Sequence, residues 1–142
     1  MKTKLLPYLL FMATSLCACS RSGTKIYAAL FGEPSEKCVK VIQSTDQLVP
    51  RIDCCIWLEF STCPKELKRI AGKQPYEFKR YAAADTFRYT TVMGAEPAWW
   101  KPYLLGDSVC MLTDLKPEDP NHAHFLLFSK DSTRAFYCDM AD

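Results

Sequence analysis

The sequence HAHFLLFSKDSTRAFYC, residues 122–138, decides the predicted fold. It contains two runs that are rich in the apolar and aromatic residues that favour β-strands. The first is His122 to Phe128 and the second is Arg134 to Cys138. The polar residues 129–133 between them form a turn region, although this region lacks the Gly found in the strongest hairpin turns. The stretch therefore predicts an antiparallel hairpin near the end of the sequence.

Further strand and helix patterns occur along the rest of the sequence. A short helix is predicted over Pro64 to Ala71, because Pro64 suits a first helical position, Glu66 lies in the first turn and Gly72 follows the last residue. Ser44 to Pro50 is expected to be a polar turn region. The other predicted strands are Cys38–Gln43, Cys54–Phe60, Phe78–Tyr81 and Thr86–Met93.

The order of these elements indicates the fold class. About five strands, one clear helix and no regular alternation of strand and helix favour an α+β domain. We expect a small antiparallel sheet with one or two short helices. An all-β barrel or sandwich is the alternative.

The first 18 residues have the layout of an export signal. Lys2 and Lys4 provide the positive charge, and an apolar run from Leu5 to Leu16 follows them. The run is too short to span a membrane, which takes about 20 predominantly apolar residues. A small residue, Ala18, and then Cys19 close the segment.

Leu16, Ala18 and Cys19 resemble the lipobox of bacterial lipoproteins, in which a Leu and a small residue precede the cleavage site and Cys follows it. The resemblance covers residues 1–19, and the rest of the sequence is not recognised. It implies a mature chain that begins at Cys19, with a diacylglyceryl thioether and usually a further acyl chain such as palmitate. Ser20 in the next position implies sorting to the outer membrane, with the protein facing the periplasm. Several acyl chains hold a protein firmly to a bilayer, whereas one chain holds it only reversibly.

We expect three parts: a signal peptide over residues 1–18, a lipidated N-terminus and tether over 19–30, and a single globular domain over 31–142. Lys2 and Lys4 account for the formal charge of +2, so the mature chain is neutral. Because nucleic-acid binding depends on neutralising phosphates, a neutral domain without a basic stripe disfavours a nucleic-acid partner.

Cleavage and lipidation leave six cysteines for the domain. An even number in an exported chain favours disulfides over metal binding or reactive thiols. A strained bridge between the neighbours Cys54 and Cys55 is excluded, and the other pairings stay open. The sequence contains no C-x-x-C pair, which disfavours a structural zinc site. The disulfide candidates are Cys38, Cys54, Cys55, Cys63, Cys110 and Cys138.

Trp99, Trp100 and Tyr103 are the candidate binding residues. They form a large aromatic surface on a segment whose backbone is stiffened by Pro97 and Pro102. Aromatic side chains of this kind are enriched at binding hot spots. Two adjacent Trp side chains are difficult to bury together, so we expect that at least one of these rings can contact a partner.

His122 and His124 are the only histidines and stand two residues apart on a predicted strand. Both side chains then project to one face of the sheet, a geometry that copper or zinc can use. The spacing of the sequence nominates no third ligand. We therefore predict no resident cofactor and treat this pair as a weak metal candidate.

Gly106-Asp107-Ser108 and Asp119-Pro120-Asn121-His122 resemble the Ser block and the Asp-His block of GDSL-type esterases. In that family the Ser lies near the start of a large three-layer domain and the His near its far end, whereas Ser108 and His122 lie close together in sequence. The sequence also lacks a phosphate-binding Gly-rich loop and an H-E-x-x-H motif. We therefore predict that the protein is not an enzyme.

The sequence predicts a lipid-anchored protein of the bacterial envelope that acts as a non-enzymatic binding or assembly module. Its membrane contact is the lipid on Cys19, and its expected partner is an envelope protein or a glycan. A periplasmic inhibitor or immunity protein against a secreted enzyme is the alternative. A metal-binding protein that uses His122 and His124 is a weaker alternative.

Overall fold

A computed structural model describes residues 21–48, 54–73, 76–82, 85, 96–115 and 122–141. Within these ranges the chain forms two α-helices, six β-strands and one short 3-10 helix. The predictions for the export signal, for Cys19 and for a strand over Thr86–Met93 lie outside the described residues. In chain order the elements are α1 (Gly23–Phe31), β1 (Lys40–Leu48), β2 (Cys54–Ser61), α2 (Pro64–Ala71), β3 (Glu77–Ala82), the 3-10 helix (Pro102–Leu105), β4 (Ser108–Leu115), β5 (His122–Ser129) and β6 (Arg134–Ala141).

The six described strands belong to one antiparallel sheet in the order β1-β2-β6-β5-β4-β3. The predicted hairpin is confirmed as β5 and β6, with Phe128 opposite Ala135 near the turn and His122 opposite Ala141 at the other end. β6 also pairs with β2 along its length. The second strand of the hairpin is therefore an interior strand with a neighbour on each side.

The predicted antiparallel sheet with two short helices is confirmed, and the sheet dominates because the helix content is low. Among the described strands, β1 and β3 are the two edges of a single sheet. In the part of the chain that the structure describes, the strands form one open sheet rather than a closed barrel or a two-sheet sandwich. Neither α1 nor α2 has the length and apolar character that a membrane-crossing helix needs.

β1 is longer than the sequence predicts and begins later. The prediction placed a strand over Cys38–Gln43 and a turn over Ser44–Pro50, whereas β1 covers Lys40–Leu48. Pairing with β2 continues until Leu48 stands opposite Cys54. The ladder of backbone hydrogen bonds thus outweighs the local turn preference of the polar residues.

The side chains of the sheet pack into two apolar layers, one on each face. Along β2, Trp57 enters one layer and Leu58 the other, as the alternation of a strand requires. The helix-side layer contains Ile26, Tyr27, Phe31, Leu58, Phe60, Leu67, Ile70, Leu112, Leu126, Ala135 and Tyr137. The loop-side layer contains Trp57, Trp100, Leu105, Val109, Met111, Leu127, Phe136 and Cys138. Both faces of the central strands are therefore covered.

α1 corrects the prediction that residues 19–30 form a tether. Its side chains Ile26, Tyr27 and Phe31 are buried in the helix-side layer. The rings of Tyr27 and Phe31 lie 5.1 and 5.9 Å from the Phe60 ring, measured between centroids. α1 is therefore packed against the sheet, because it carries an apolar face that the sheet covers.

A disulfide joins Cys38, ahead of β1, to Cys63 at the start of α2, with Cα atoms 6.0 Å apart. This pair confirms part of the disulfide prediction. Cys110 and Cys138 are instead buried thiols of β4 and β6, which corrects the expectation that they form disulfides. Burial, and then the nearby Cys55, raises the pKa of the Cys138 thiol. Such a thiol stays protonated and behaves as a small apolar side chain.

Glu66 is a buried carboxylate that ties the two helices together. It is fully enclosed in the core. Tyr27 of α1 donates its hydroxyl to Oε1 at 2.7 Å, and Ser35 donates its hydroxyl to Oε2 at 2.6 Å. Arg69, one turn further along α2, donates Nε to both carboxylate oxygens at 3.1 Å. Arg69 also donates Nη1 at 2.8 Å to the carbonyl oxygen of Phe31, at the end of α1.

The donors around Glu66 determine its protonation. Burial raises the pKa of this carboxyl, but hydrogen bonds from Arg69, Ser35 and Tyr27 lower it more strongly, to about 2. A lowered pKa means that the unfolded chain binds the proton more readily than the folded one. The stabilisation from Glu66 is therefore present above its ordinary pKa and is lost as the pH falls toward about 2.

We predict that Glu66→Gln lowers the free energy of unfolding by about 2–4 kcal/mol at neutral pH, because it leaves Arg69 without its buried anion. The difference from the parent protein should shrink at about pH 3, where the unfolded chain is already protonated. Urea unfolding at both pH values measures the change. The control is Glu33→Gln, which alters an exposed carboxyl and should cost less than about 0.5 kcal/mol. An equal loss for Glu66→Gln at both pH values would contradict the role of the charge.

Candidate functional site

A groove of about 700 Å³ lies at one end of the sheet, between the segment 104–108 and the β5–β6 turn. This end is where β4 begins and β5 ends, with Val109 opposite Ser129. Small-molecule sites typically have volumes of about 300–1,000 Å³, so the groove is large enough for a ligand. The lining residues are Leu104, Leu105, Gly106, Asp107, Ser108, Ser129, Lys130, Asp131, Thr133 and Arg134.

The first wall of the groove is the 3-10 helix with the chain that follows it. Leu105 is buried in the loop-side layer and fastens the helix to the sheet, whereas Tyr103 and Leu104 are 46% and 52% exposed. Gly106 has a φ of 106°, a conformation that favours Gly, and the chain then turns into β4. This wall therefore has exposed apolar side chains on a segment that the buried Leu105 holds against the sheet.

The second wall is the turn of the hairpin. Asp131 Oδ1 accepts hydrogen bonds from the Ser129 hydroxyl at 2.6 Å, from the Thr133 hydroxyl at 2.8 Å and from the Thr133 backbone N at 3.1 Å. The hydrogen bonds from Ser129 and then Thr133 lower the pKa of Asp131. Ser132 takes the left-handed conformation, with a φ of 62°. The side-chain network thus supports a turn that contains no Gly.

Arg134 connects the groove to the core. Its Nε donates to Glu59 Oε1 at 2.8 Å, its Nη2 contacts the same oxygen, and its guanidinium carbon lies 5.4 Å from the centre of the Phe136 ring. Glu59 interrupts the apolar run of β2 and is only 2% exposed. A carboxylate buried to this extent needs a charged partner, and Arg134 supplies it. The guanidinium is therefore held in place by the protein itself.

The predicted binding residues Trp99, Trp100 and Tyr103 have different surroundings. Trp100 is 8% exposed, and its ring packs edge-on against Phe136 with centroids 5.3 Å apart. Trp99 is half-buried and packs against the loop-side layer. Trp100 is therefore a core residue rather than a contact residue, because the sheet needs a cover on this face. Tyr103 remains exposed, and Leu104 beside it is an exposed residue that the sequence did not single out.

His124 makes contacts within the protein through both ring nitrogens. The Tyr137 hydroxyl lies 2.7 Å from Nδ1, and Asp139 Oδ1 lies 3.5 Å from Nε2. The side chain of His122 lies outside the described residues. In the part of the chain that the structure describes, no three His, Cys, Asp or Glu side chains form a group that could hold a metal ion. The two histidines therefore have no complete set of metal ligands among the described residues.

The esterase-like residues do not come together. Ser108 begins β4 and His122 begins β5, and these two strands run antiparallel. The two residues therefore lie at opposite ends of the sheet, roughly 20 Å apart at the rise of a strand. A hydrogen bond between a Ser nucleophile and its His base cannot form over this distance. Ser108 lines the groove without a neighbouring His from β5.

Contacts within the protein hold the walls of the groove. The turn network, the Arg134–Glu59 ion pair and the buried Leu105 each fix one part of it. Little in the sequence could have indicated this site, because its two walls are separated along the chain and meet only in the folded sheet. No family model, curated protein or solved structure matches this chain.

We predict that Trp100 and Tyr103 respond differently to truncation. Trp100→Ala should lower the free energy of unfolding by about 3–5 kcal/mol, because it removes a buried ring from the loop-side layer. Tyr103→Ala should cost less than about 1 kcal/mol, because much of its ring is already in water. Urea unfolding of both variants measures the difference. Equal losses would contradict the assignment of one ring to the core and the other to the surface.

Proposed function

We propose that this protein is a non-enzymatic binding domain of the bacterial envelope, anchored through lipid on Cys19, and that its ligand occupies the groove. The observation that carries the proposal is the pairing of an exposed apolar rim with a preformed polar groove. Tyr103 and Leu104 lie on the rim, and the hydrogen-bonded turn from Ser129 to Thr133 forms the opposite wall. Ligand sites commonly combine apolar contact area with a few fixed polar groups.

The chemistry of the groove favours binding over catalysis. Hydrogen bonds from Ser129 and Thr133 lower the pKa of Asp131, so its carboxylate stays ionised and poorly suited to accept a proton. The guanidinium of Arg134 is already engaged by Glu59. Ser108 has no His from β5 within reach to act as its base. Asp131 and Arg134 thus hold the shape of the groove.

The position of Arg21 supports a groove that faces away from the membrane. Arg21 follows Cys19 by two positions, and its Nε lies 2.6 Å from Asp46 Oδ2 on β1. Asp46 pairs with Ile56, and Ile56 pairs with Asp139 near the end of β6. The groove lies at the other end of the sheet, roughly 20 Å away at the rise of a strand. A lipid on Cys19 would therefore leave the groove open to the periplasm.

We predict that a photoreactive benzophenone amino acid in place of Leu104 captures a discrete partner in intact cells. Leu104 is half exposed, so the replacement should leave the fold intact. The control carries the same amino acid in place of Lys68, an exposed residue of α2. Benzophenone reacts with C–H bonds of proteins and sugars, so either class of partner can be captured.

The expected result is an adduct at position 104 that is absent at position 68. Glycosidase treatment of the adduct, and mass spectrometry for peptides of a second protein, then identify the chemical class of the partner. The proposal fails if position 104 captures nothing or if both positions capture the same species. Release of the unmodified chain from membranes without detergent would separately contradict the lipid anchor.

A further inference from the structure

The charged side chains of the groove balance one another. Two cations, Lys130 and Arg134, and two carboxylates, Asp107 and Asp131, line it. Arg134 is paired with the buried Glu59 below it. A strongly anionic ligand would face the carboxylates, and a strongly cationic ligand would face Lys130 and Arg134. Because Arg134 is paired with Glu59, the lining offers no excess of positive charge of the kind that recognises anions.

One of these four charges is already paired within the protein. Arg134 donates to Glu59 and stacks on Phe136, so moving it toward an anion would leave a carboxylate buried and unpaired. Asp131 accepts three hydrogen bonds at Oδ1, which fix its orientation but leave its negative charge in the groove. The charged groups left to meet a ligand are Lys130, Asp107 and Asp131, and all three are exposed. This mixed set can form hydrogen bonds to an uncharged ligand.

The uncharged part of the lining is amphipathic. The hydroxyl of Ser108, the backbone at Gly106 and the turn residue Thr133 provide polar contacts. A side chain at Gly106 would meet no atom within 4 Å, so the backbone there is open to a ligand. Leu104, which is 52% exposed, provides aliphatic surface on the same wall. A pyranose ring has matching properties, because its hydroxyl groups surround a face of C–H bonds.

An extended peptide fits this groove less well than a sugar chain does. Peptides commonly add to the exposed edge of a sheet, where backbone groups are unpaired. The strands that border the groove are β4, β5 and β6, and each is interior in the sheet. Their backbone groups are hydrogen-bonded to neighbouring strands, so a peptide could not pair with them as a further strand.

We propose that the groove binds an uncharged glycan chain, with a sugar ring against Leu104 and its hydroxyl groups at Ser108, Asp107 and Lys130. This inference rests on the proposed function, because it names the ligand class of the same groove. An anionic polysaccharide and a peptide are the competing ligands that the experiment must reject.

The test is a titration of the purified full-length protein, in detergent, followed by amide NMR spectra. The probes are hexasaccharides of glucose, of mannose and of N-acetylglucosamine, with alginate as the anionic comparison. At least one neutral hexasaccharide should shift the amide signals of Gly106, Asp107, Ser108 and Lys130. The affinity should change less than about twofold between low and high salt, because uncharged ligands are not screened.

Two matched variants test the location and the chemistry. Leu104→Glu should weaken binding by about tenfold or more, because it places a charge against the apolar face of the sugar. Ile42→Glu is the control, since Ile42 is exposed to a similar degree, 49% against 52%, and lies on the edge strand β1. Lys130→Gln keeps a hydrogen-bond donor and removes the charge, so it should weaken binding of a neutral hexasaccharide far less than it would weaken binding of an anionic ligand.

The inference is overturned if none of the neutral hexasaccharides shifts the groove signals, or if alginate binds more tightly than all of them. Equal loss of binding in Leu104→Glu and Ile42→Glu would also overturn it. If the cellular adduct at position 104 yields peptides of a second protein and is not shortened by glycosidases, the glycan inference fails while the proposed binding function stands.

Discussion

The structure depends on one constraint: the central strands of the sheet are apolar on both faces, so both faces must be covered. β6 shows this most clearly, because Tyr137 lies in the helix-side layer and Phe136 lies in the loop-side layer. α1 and α2 both pack on the helix side, which leaves the other face to an irregular segment. Trp100 and Leu105 provide that cover. The groove forms at the edge of the cover, between the 3-10 helix and the hairpin turn.

Buried charge stabilises both sides of this arrangement. Glu66 links α1, the following loop and α2 on the helix side, and Glu59 holds Arg134 at the groove on the loop side. Each carboxylate sits in an otherwise apolar layer and depends on donors from other segments, because an unpaired charge there would be costly. Helix packing and the shape of the groove are thus fixed by polar contacts that the apolar pattern alone does not specify.

The sequence predicted the elements that local pattern determines. The hairpin of β5 and β6, strand β2 and helix α2 follow from alternation, β-favouring residues and Pro64 at the helix start. The sequence did not predict α1, whose apolar side chains Ile26, Tyr27 and Phe31 are buried against the sheet. It also placed a turn in the second half of β1, because pairing with β2 is a long-range effect.

The candidate site was less predictable than the fold. The aromatic cluster around Tyr103 predicted it as a binding residue. The same cluster also predicted Trp100, which is buried in the core. Leu104 and the turn residues around Asp131 carried no signal, because an exposed Leu or a polar turn is common in any sequence. Glu59 and Arg134 lie 75 residues apart along the chain. No local pattern can predict a pair of residues that meets only across two strands.

The central claim is that the segment containing Trp100 and Leu105 covers the loop side of the sheet and thereby forms the groove. Proton–proton contacts between the Trp100 indole and the Phe136 ring, measured by nuclear Overhauser effect spectroscopy on labelled protein, test this claim most directly. The ring centroids are 5.3 Å apart, which predicts strong cross-peaks between the two side chains. Their absence in the folded protein, with Trp100 showing contacts to water alone, would contradict the claim.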